Sequence, residues 1–251
     1  MGDYSLSIDF FPKIAHPEEC QQQMSEKKQR LSRQDMANRL AREFQDGWLV
    51  NLGIGIPTLC SNYKQDNKEI IFHSENGVIG YGSIYPKGEE DLHLVNAGGQ
   101  YVSLVDGASI VHHADSFAII RSGMLDLTVM GAYQVAENGD FANWKTAGRR
   151  GGGIGGAMDL AAGAKQVFIA MQHTTREGEP RLLKRCSLPI TAVGVVKLLV
   201  TDVALFEVTP DGFLMKEIAP GFDPEEVQSM SEAKLSIAQD LSEIVVEKSK
   251  E

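Results

Sequence analysis

Met36, Leu40 and Phe44 recur at helical spacing with Ala37 and Ala41 beside them, so the segment after Ser32 predicts a helix with one apolar face. Ser32 followed by Asp35 resembles a capping box at its start, and Gly47 marks its end. Residues 48–52 form a short apolar run that reads as a buried strand. Gly53-Ile54-Gly55-Ile56-Pro57 is then a tight turn, and Pro57 suits the first turn of a helix over 58–65. Ile70-Ile71-Phe72-His73 predicts a second strand, ending at Glu75. The Gly-, Tyr- and Pro-rich sequence from Gly77 to Gly88 reads as loop, and residues 92–95 as a short apolar stretch. Residues 116–120 and 125–130 read as strands because β-branched and aromatic residues dominate between Gly and Asp punctuation, with 140–144 a further candidate. Small residues over 157–164 predict a short helix, and 166–171 a near-continuous apolar strand. Strands over 190–193 and 204–208 follow, and Pro210-Asp211-Gly212-Phe213 is a hairpin turn joining 204–208 to 213–218. Asp223-Pro224-Glu225-Glu226 starts a last helix.

Helices and strands alternate early and strands crowd late. The pattern predicts an α/β fold: an open, mostly parallel sheet with flanking helices and a β-rich section near one edge. No internal repeat or linker interrupts it. We read one domain over 32–240, a polar leader over 1–31 and a charged tail over 241–251.

Composition narrows the function classes. Hydrophobic residues make up 43% of the 251, enough for a sizeable core. A net charge of −10 argues against general nucleic-acid binding, which wants a basic face. It leaves room for a small anionic ligand received by local cations. Lys145, Arg149 and Arg150 are candidates, equally readable as a solvated basic loop. Cys20, Cys60 and Cys186 are widely separated and make no disulfide framework, which points to a reducing compartment. No apolar run approaches the roughly 20 residues of a membrane span. The leader carries Asp3, Asp9, Glu18, Glu19 and Glu26 among its basic residues and has no signal-peptide core. The expectation is a cytoplasmic protein with no membrane or nucleic-acid partner.

Two stretches carry candidate chemistry. Glu75 lies in Ser74-Glu75-Asn76-Gly77, at the carboxyl end of a predicted strand and beside a glycine turn. A Glu after a strand is commonly a solvated residue or a cap, but these small, turn-forming neighbours leave it accessible where open α/β sheets bind ligands. Far downstream, Gly151-Gly152-Gly153-Ile154-Gly155-Gly156-Ala157 reads as a glycine loop opening the 157–164 helix. Such a loop permits close helix–sheet packing and also presents main-chain N–H groups to an oxyanion; both readings stay open. A lone carboxylate facing bare N–H groups suits acyl chemistry, with the carboxylate attacking a carbonyl. Asp159 fits a first-turn helix residue better than a catalyst.

The turn at Asn51-Leu52-Gly53-Ile54-Gly55-Ile56-Pro57 is superficially like a dinucleotide fingerprint, but Thr58 stands where the third glycine belongs. The same turn leaves the N–H groups of Gly53 and Gly55 to meet an anion or a carbonyl oxygen. His112-His113 with Asp115 has no regular spacing to other ligands, so no metal is expected, and His173 reads as a loop histidine. Neither a Gly-x-Ser-x-Gly elbow nor a Walker A loop occurs.

Taken together, Asn51–Thr58 (NLGIGIPT), Ser74–Gly77 (SENG), Asn96-Ala97-Gly98, Asp140–Trp144 (DFANW) and Gly155–Leu160 (GGAMDL) resemble the β-type half of family I coenzyme A transferases, in order and spacing over about residues 32–235. The resemblance implies a CoA-transferase (NagB/RpiA-like) α/β fold and Glu75 as covalent nucleophile. It implies transfer of CoA between an acyl-CoA and a small carboxylic or 3-oxo acid through a glutamyl-CoA thioester. Gly156 N–H and the Asn51 side chain become the oxyanion or positioning candidates. Gly53, Gly55, Asn76, Gly98, Asn143 and Gly155 become candidate contacts to CoA, which enters as substrate with no tightly bound cofactor. A separate α subunit is the implied partner, in a heterodimer or heterotetramer. The chain departs from the pattern at Gly99, where relatives commonly carry lysine, and its leader is longer than such β subunits usually need. An acyl-CoA hydrolase on the same scaffold and a non-catalytic sensor with this fold are the alternatives.

Overall fold

Ser32 caps the first helix, α1 (Arg33–Ala41), reciprocally: its Oγ accepts from the Asp35 N–H at 3.1 Å, and the Asp35 carboxylate accepts from the Ser32 N–H at 2.9 Å. Such a cap contributes about 1 kcal/mol. The computed structural model to which these distances belong describes residues 28–63, 65, 67–146 and 153–246. Readings that fall on 1–27, on Arg149, Arg150, Gly151 and Gly152, or beyond 246 lie outside the described residues. Helix α1 stops at Ala41, short of Gly47; Phe44 reaches the core from the turn that follows, and Gly47, at φ 76, bends the chain into the sheet.

The strands are β1 (Leu49–Leu52), β2 (Ile71–Ser74), β3 (Val78–Ile84), β4 (Val102–Ile110), β5 (Leu127–Met130), β6 (Gln134–Ala136) and β7 (Phe141–Ala142). They continue as β8 (Val167–Ala170), β9 (Leu182–Leu183), β10 (Val196–Val200), β11 (Ala204–Thr209), β12 (Gly212–Ile218) and β13 (Leu235–Glu243). A 3-10 helix, Pro57–Tyr63, follows β1, and the remaining helices are α2 (His113–Arg121), α3 (Ala157–Gly163) and α4 (Pro224–Ser229).

Ten strands form one sheet in the order β13-β12-β11-β10-β8-β5-β1-β2-β3-β4, and β7-β6-β9 form a small second sheet. The centre, β10-β8-β5-β1-β2, is parallel throughout. Antiparallel β3 and β4 extend one side, and the β11–β12 hairpin the other. Strand alternation divides the core in two. Val129 and Phe168 face a cluster with Met36, Leu40 and Phe44 on the α1 side, while Met130 and Ile169 face Ile120, Leu160 and the small sheet's Phe141 and Leu182.

Several expectations change. Residues 116–120 are helical, not extended: only Ser116 and Ile120 of α2 are buried, four apart as a one-sided helix requires. His112 caps that helix, its Nδ1 accepting from the Ala114 N–H at 3.2 Å. The expected loop from Gly77 to Gly88 contains strand β3, whose glycines Gly80 and Gly82 lie against β4. Strands β4 and β10 were not expected, and residues 190–193 supply only an isolated bridge from Ala192 to Phe141. The sheet also runs past residue 240 to Glu243, and Ile244 is buried.

Candidate active site

Glu75 is placed by a turn that only glycine can close. Gly77 has φ +114, and a Cβ there would stand 2.2 Å from the Val111 carbonyl oxygen. The Gly77 N–H donates to Ser74 O at 2.9 Å, and the Gly77 carbonyl accepts from Val111 N–H at 2.9 Å. Glu75 is thereby held half-buried at the carboxyl end of β2, next to β1. Asn51 is fully buried on β1, and its Nδ2 lies 3.4 Å from Glu75 Oε2.

The glycine turn before α3 faces the same carboxylate. A Cβ on Gly156 would lie 3.7 Å from Glu75 Oε1 and 3.1 Å from Phe117 Cζ. The N–H groups of Gly155 and Gly156 make no hydrogen bond among the described residues. Between turn and sheet lies a cleft of about 420 Å³, lined by Gly53, Ile54, Glu75, Met130, Tyr133, Asn143, Gly153–Gly156 and Leu160 among others. Its wall mixes polar and apolar surface, and Glu75 is the one carboxylate among the residues that line it. That combination suits an acyl chain or thioester whose one reactive carbon must meet a carboxylate.

The other residues singled out from sequence fall at different distances from this centre. Asn143 lines the cleft, but its amide is engaged: Nδ2 donates to Gly131 O at 3.2 Å and Oδ1 accepts from Thr191 Oγ1 at 2.7 Å. Gly53 also lines it, yet its N–H is not free, since it donates to Val129 O at 2.8 Å. Gly55 is not among the lining residues, and its Cβ position lies 3.4 Å from an Arg33 guanidinium nitrogen. Asn76 Nδ2 donates to Val95 O at 2.8 Å and ties the Glu75 turn to the loop carrying Asn96-Ala97-Gly98. That loop is fastened by the Ala97 N–H donating to Ser74 Oγ at 2.8 Å, and Gly98 borders Ile54 rather than the cleft floor. Lys145 lies over the Trp144 ring at 5.9 Å. Asp159 pairs with Arg121 at 2.8 Å, and His173 is a buried histidine bonded to Thr201 and Ser231.

Sequence reasoning passed over His73, Ser116, Thr128 and Phe117. His73 and Ser116 are fully buried and 3.0 Å apart, Nε2 to Oγ. Burial pushes the His73 imidazole down to about 4, so the ring is neutral at neutral pH. One signal was present: His73 stands two residues before Glu75, and alternate residues of a strand share a face.

A carboxylate in a cleft at the carboxyl end of a parallel sheet, opposed by unengaged main-chain amides, defines an α/β enzyme equipped for acyl transfer. The chain belongs to the coenzyme A transferase family, whose model matches residues 33–229. It is 50% identical over 204 residues to the β-type subunit of the 3-oxoadipate CoA-transferase of Pseudomonas putida, covering 80% of this chain and 95% of the relative. It is 42% identical over 205 residues to the corresponding subunit of the succinyl-CoA:3-ketoacid coenzyme A transferase of Helicobacter pylori, covering 82% and 99% respectively. Among solved structures, the acyl-CoA transferase (YdiF) apoenzyme of Escherichia coli O157:H7 shares the fold, with a TM-score of 0.68 and 20% identity. That match covers 86% of this chain and 43% of the solved one, so the chain spans under half of its length.

Proposed function

We propose that this chain is the β subunit of a cytoplasmic CoA-transferase that moves CoA between an acyl-CoA and a small carboxylic or 3-oxo acid, with Glu75 as the covalent nucleophile. The observation that carries this reading is the placement of the Glu75 carboxylate between the Asn51 amide, 3.4 Å from Oε2, and the glycine turn at Gly156, 3.7 Å from Oε1 to the Cβ position.

A carboxylate is ionised at neutral pH without a general base. It needs desolvation, alignment and a home for the oxyanion. Glu75 Oε1 attacks the thioester carbon of the acyl-CoA; the carbonyl oxygen takes the electron pair, and collapse expels CoA thiolate and leaves a mixed anhydride. The thiolate then adds to the Glu75 side-chain carbon and expels the first acid, giving a glutamyl-CoA thioester. An acceptor acid runs the two steps in reverse and leaves as a new acyl-CoA. The N–H of Gly156 is the donor proposed for the substrate oxyanion. Gly53, Gly155 and the apolar wall of Met130 and Leu160 would receive the pantetheine and acyl portions, whose remote contacts drive the step.

The substrates in the relatives' names, 3-oxoadipate and the succinyl-CoA/3-ketoacid pair, define the acid class expected here. Both relatives are named as one subunit of their enzyme and match this chain over nearly their whole length, so we assign a separate α subunit as its partner.

The test uses the assembled complex with an acyl-CoA and no acceptor. Borohydride added at that point reduces a glutamyl thioester to the alcohol, and peptide mass spectrometry locates it. Modification at Glu75 is expected in the native chain and none in Glu75→Gln, whose transfer activity falls by a factor on the order of 10³ or more. An active complex that is never reduced at Glu75 would falsify the assignment.

A further inference from the structure

Three strands beneath Glu75 each carry a fully buried polar residue among apolar ones, and the three line up. Strand β5 carries Thr128 in Leu-Thr-Val-Met, β1 carries Asn51 in Leu-Val-Asn-Leu, and β2 carries His73 in Ile-Phe-His-Ser. Asn51 is the register partner of both Thr128 and His73, so the three make a row across the parallel sheet. All three are fully buried, as is Ser116 of α2, which meets the end of the row. Burial of an unpaired polar group costs about 1–3 kcal/mol on mutational scales, which a run of valines would avoid.

The row is bonded from end to end. Thr128 Oγ1 donates to Asn51 Oδ1 at 3.5 Å. Asn51 Nδ2 lies 3.1 Å from His73 O and 3.2 Å from His73 Nδ1, and His73 Nε2 lies 3.0 Å from Ser116 Oγ. An amide nitrogen only donates, so Nδ1 accepts and the imidazole proton sits on Nε2, facing Ser116. The two N–H protons of Asn51 therefore serve three acceptors. Glu75 Oε2, which as a carboxylate oxygen is the strongest of them, has the longest contact at 3.4 Å, against the roughly 2.7–2.9 Å usual for a charge-assisted bond.

We propose that His73 is a positioning residue for the transfer reaction: its Nδ1 holds the Asn51 amide off the resting carboxylate yet aimed at Oε2, so that this N–H bond tightens only when Oε2 carries the charge of a tetrahedral adduct. The proposal rests on the reading of Glu75 as nucleophile. With Oε1 as the attacking atom, Oε2 is the carbonyl oxygen of the mixed anhydride. CoA thiolate adds to the side-chain carbon, Oε2 takes the electron pair, and collapse expels the acid with Oε1. A donor that is slack toward the ground state and short toward that oxyanion accelerates the step. Ser116 and Thr128 hold the two ends of the row and keep the amide from turning over.

The test compares His73→Leu, His73→Asn and Ser116→Ala in the assembled complex, reading kcat and KM for the acyl-CoA and the rate at which borohydride-sensitive thioester forms. Leucine keeps volume and removes the acceptor: kcat is expected to fall about tenfold to a hundredfold with KM within about twofold. Asparagine can place its Oδ1 where Nδ1 was, and is expected to recover to within about fivefold of the native rate. Ser116→Ala leaves the imidazole in place without its Nε2 partner, and a fall of about threefold to tenfold in kcat at unchanged KM is expected. The proposal is overturned if Ser116→Ala and both His73 variants stay within about twofold of native kcat, or if asparagine is as slow as leucine. Should His73→Leu fail to assemble, Ser116→Ala decides alone: native kcat overturns the proposal. A native complex that is never reduced at Glu75 sinks the nucleophile reading instead, whereas native reduction with undisturbed variants sinks only the role of His73.

Discussion

At Gly156 a single hydrogen atom sets how closely the glycine turn approaches the reacting carboxylate. The backbone there, φ −86 and ψ 3, is open to any L residue, so the constraint is contact and not conformation. A methyl group would press on Phe117 Cζ at 3.1 Å and Cε1 at 3.4 Å and stand 3.7 Å from Glu75 Oε1. To yield, the Phe117 ring must shift against the tilted His113 ring, centroids 4.8 Å apart, and the Arg121 guanidinium at 5.4 Å. We expect Gly156→Ala to lower kcat/KM by about tenfold or more, through displacement of the turn from Glu75. Adding Phe117→Leu trims the ring edge and should recover part of that loss, measured as non-additivity in a double-mutant cycle. A double variant as slow as the single would mean that the methyl obstructs substrate and not the ring.

Helices α2 and α3 fix that turn from behind, and their contact depends on Gly163. A Cβ at Gly163 would fall 2.1 Å from the Ile120 carbonyl oxygen, which belongs to backbone and cannot swing aside. Gly163→Ala is therefore expected to destabilise the protein by about 2–4 kcal/mol, read as a lowered urea midpoint at constant m-value. Arg121→Ala, which removes the Asp159 ion pair at the same interface, should move the midpoint far less, because the arginine side chain is 63% exposed and its pairing is screened by solvent. If the two variants unfold at the same urea concentration, close packing is not what joins these helices. Neither contact was visible in sequence. What was legible had a local cause: the Ser32–Asp35 cap, the Pro210–Phe213 hairpin, the Asp223 cap of α4 and the glycine turn beside Glu75. Residues 116–120 misled because Ser-Phe-Ala-Ile-Ile carries strand-forming side chains, while the helix is set by the His112 cap and by packing on residues distant in sequence. Strand β3 was hidden by its own glycines: Gly80 falls in a stretch that reads as loop but lies where β4 approaches, its Cβ position 3.1 Å from Ala108 Cα. The two halves of the cleft were each legible, Glu75 from its turn and Gly155-Gly156 from its glycines. The polar row was not, since Asn51, His73 and Thr128 become neighbours only through strand register.

Two buried histidines, one beneath each half of the long sheet, give the whole molecule a common response to acid. His73 joins β2 to α2. His173 follows β8; its Nδ1 lies 3.1 Å from Thr201 Oγ1, its Nε2 2.8 Å from Ser231 Oγ after α4, and its ring rests on Phe206. Burial lowers both to about 4; around His173, Asp202 pulls the other way and Arg30 adds to the lowering. The unfolded chain takes up these protons near 6.5, while the folded one resists until about 4. Between those limits the unfolded state binds more protons, so stability is full above about pH 6.5 and is lost as the pH falls toward 4. Each histidine accounts for up to about 3 kcal/mol of that loss. Urea unfolding followed from pH 7.5 to pH 4.5 should therefore show a falling free energy well above the range where ordinary carboxylates titrate. His173→Gln, which keeps a polar side chain but cannot take a proton, should start less stable and fall less steeply, because one of the two titrations has been removed. Transfer activity of the folded complex should instead hold through most of that range and decline only as the pH nears 4, where a proton on His73 Nδ1 turns the acceptor of the Asn51 amide into a second donor facing it. An unfolding free energy that is flat from pH 6.5 to pH 5, or a native slope in His173→Gln, would show that these imidazoles gain their protons without disturbing the fold, and the acid response would then have to be sought among the carboxylates.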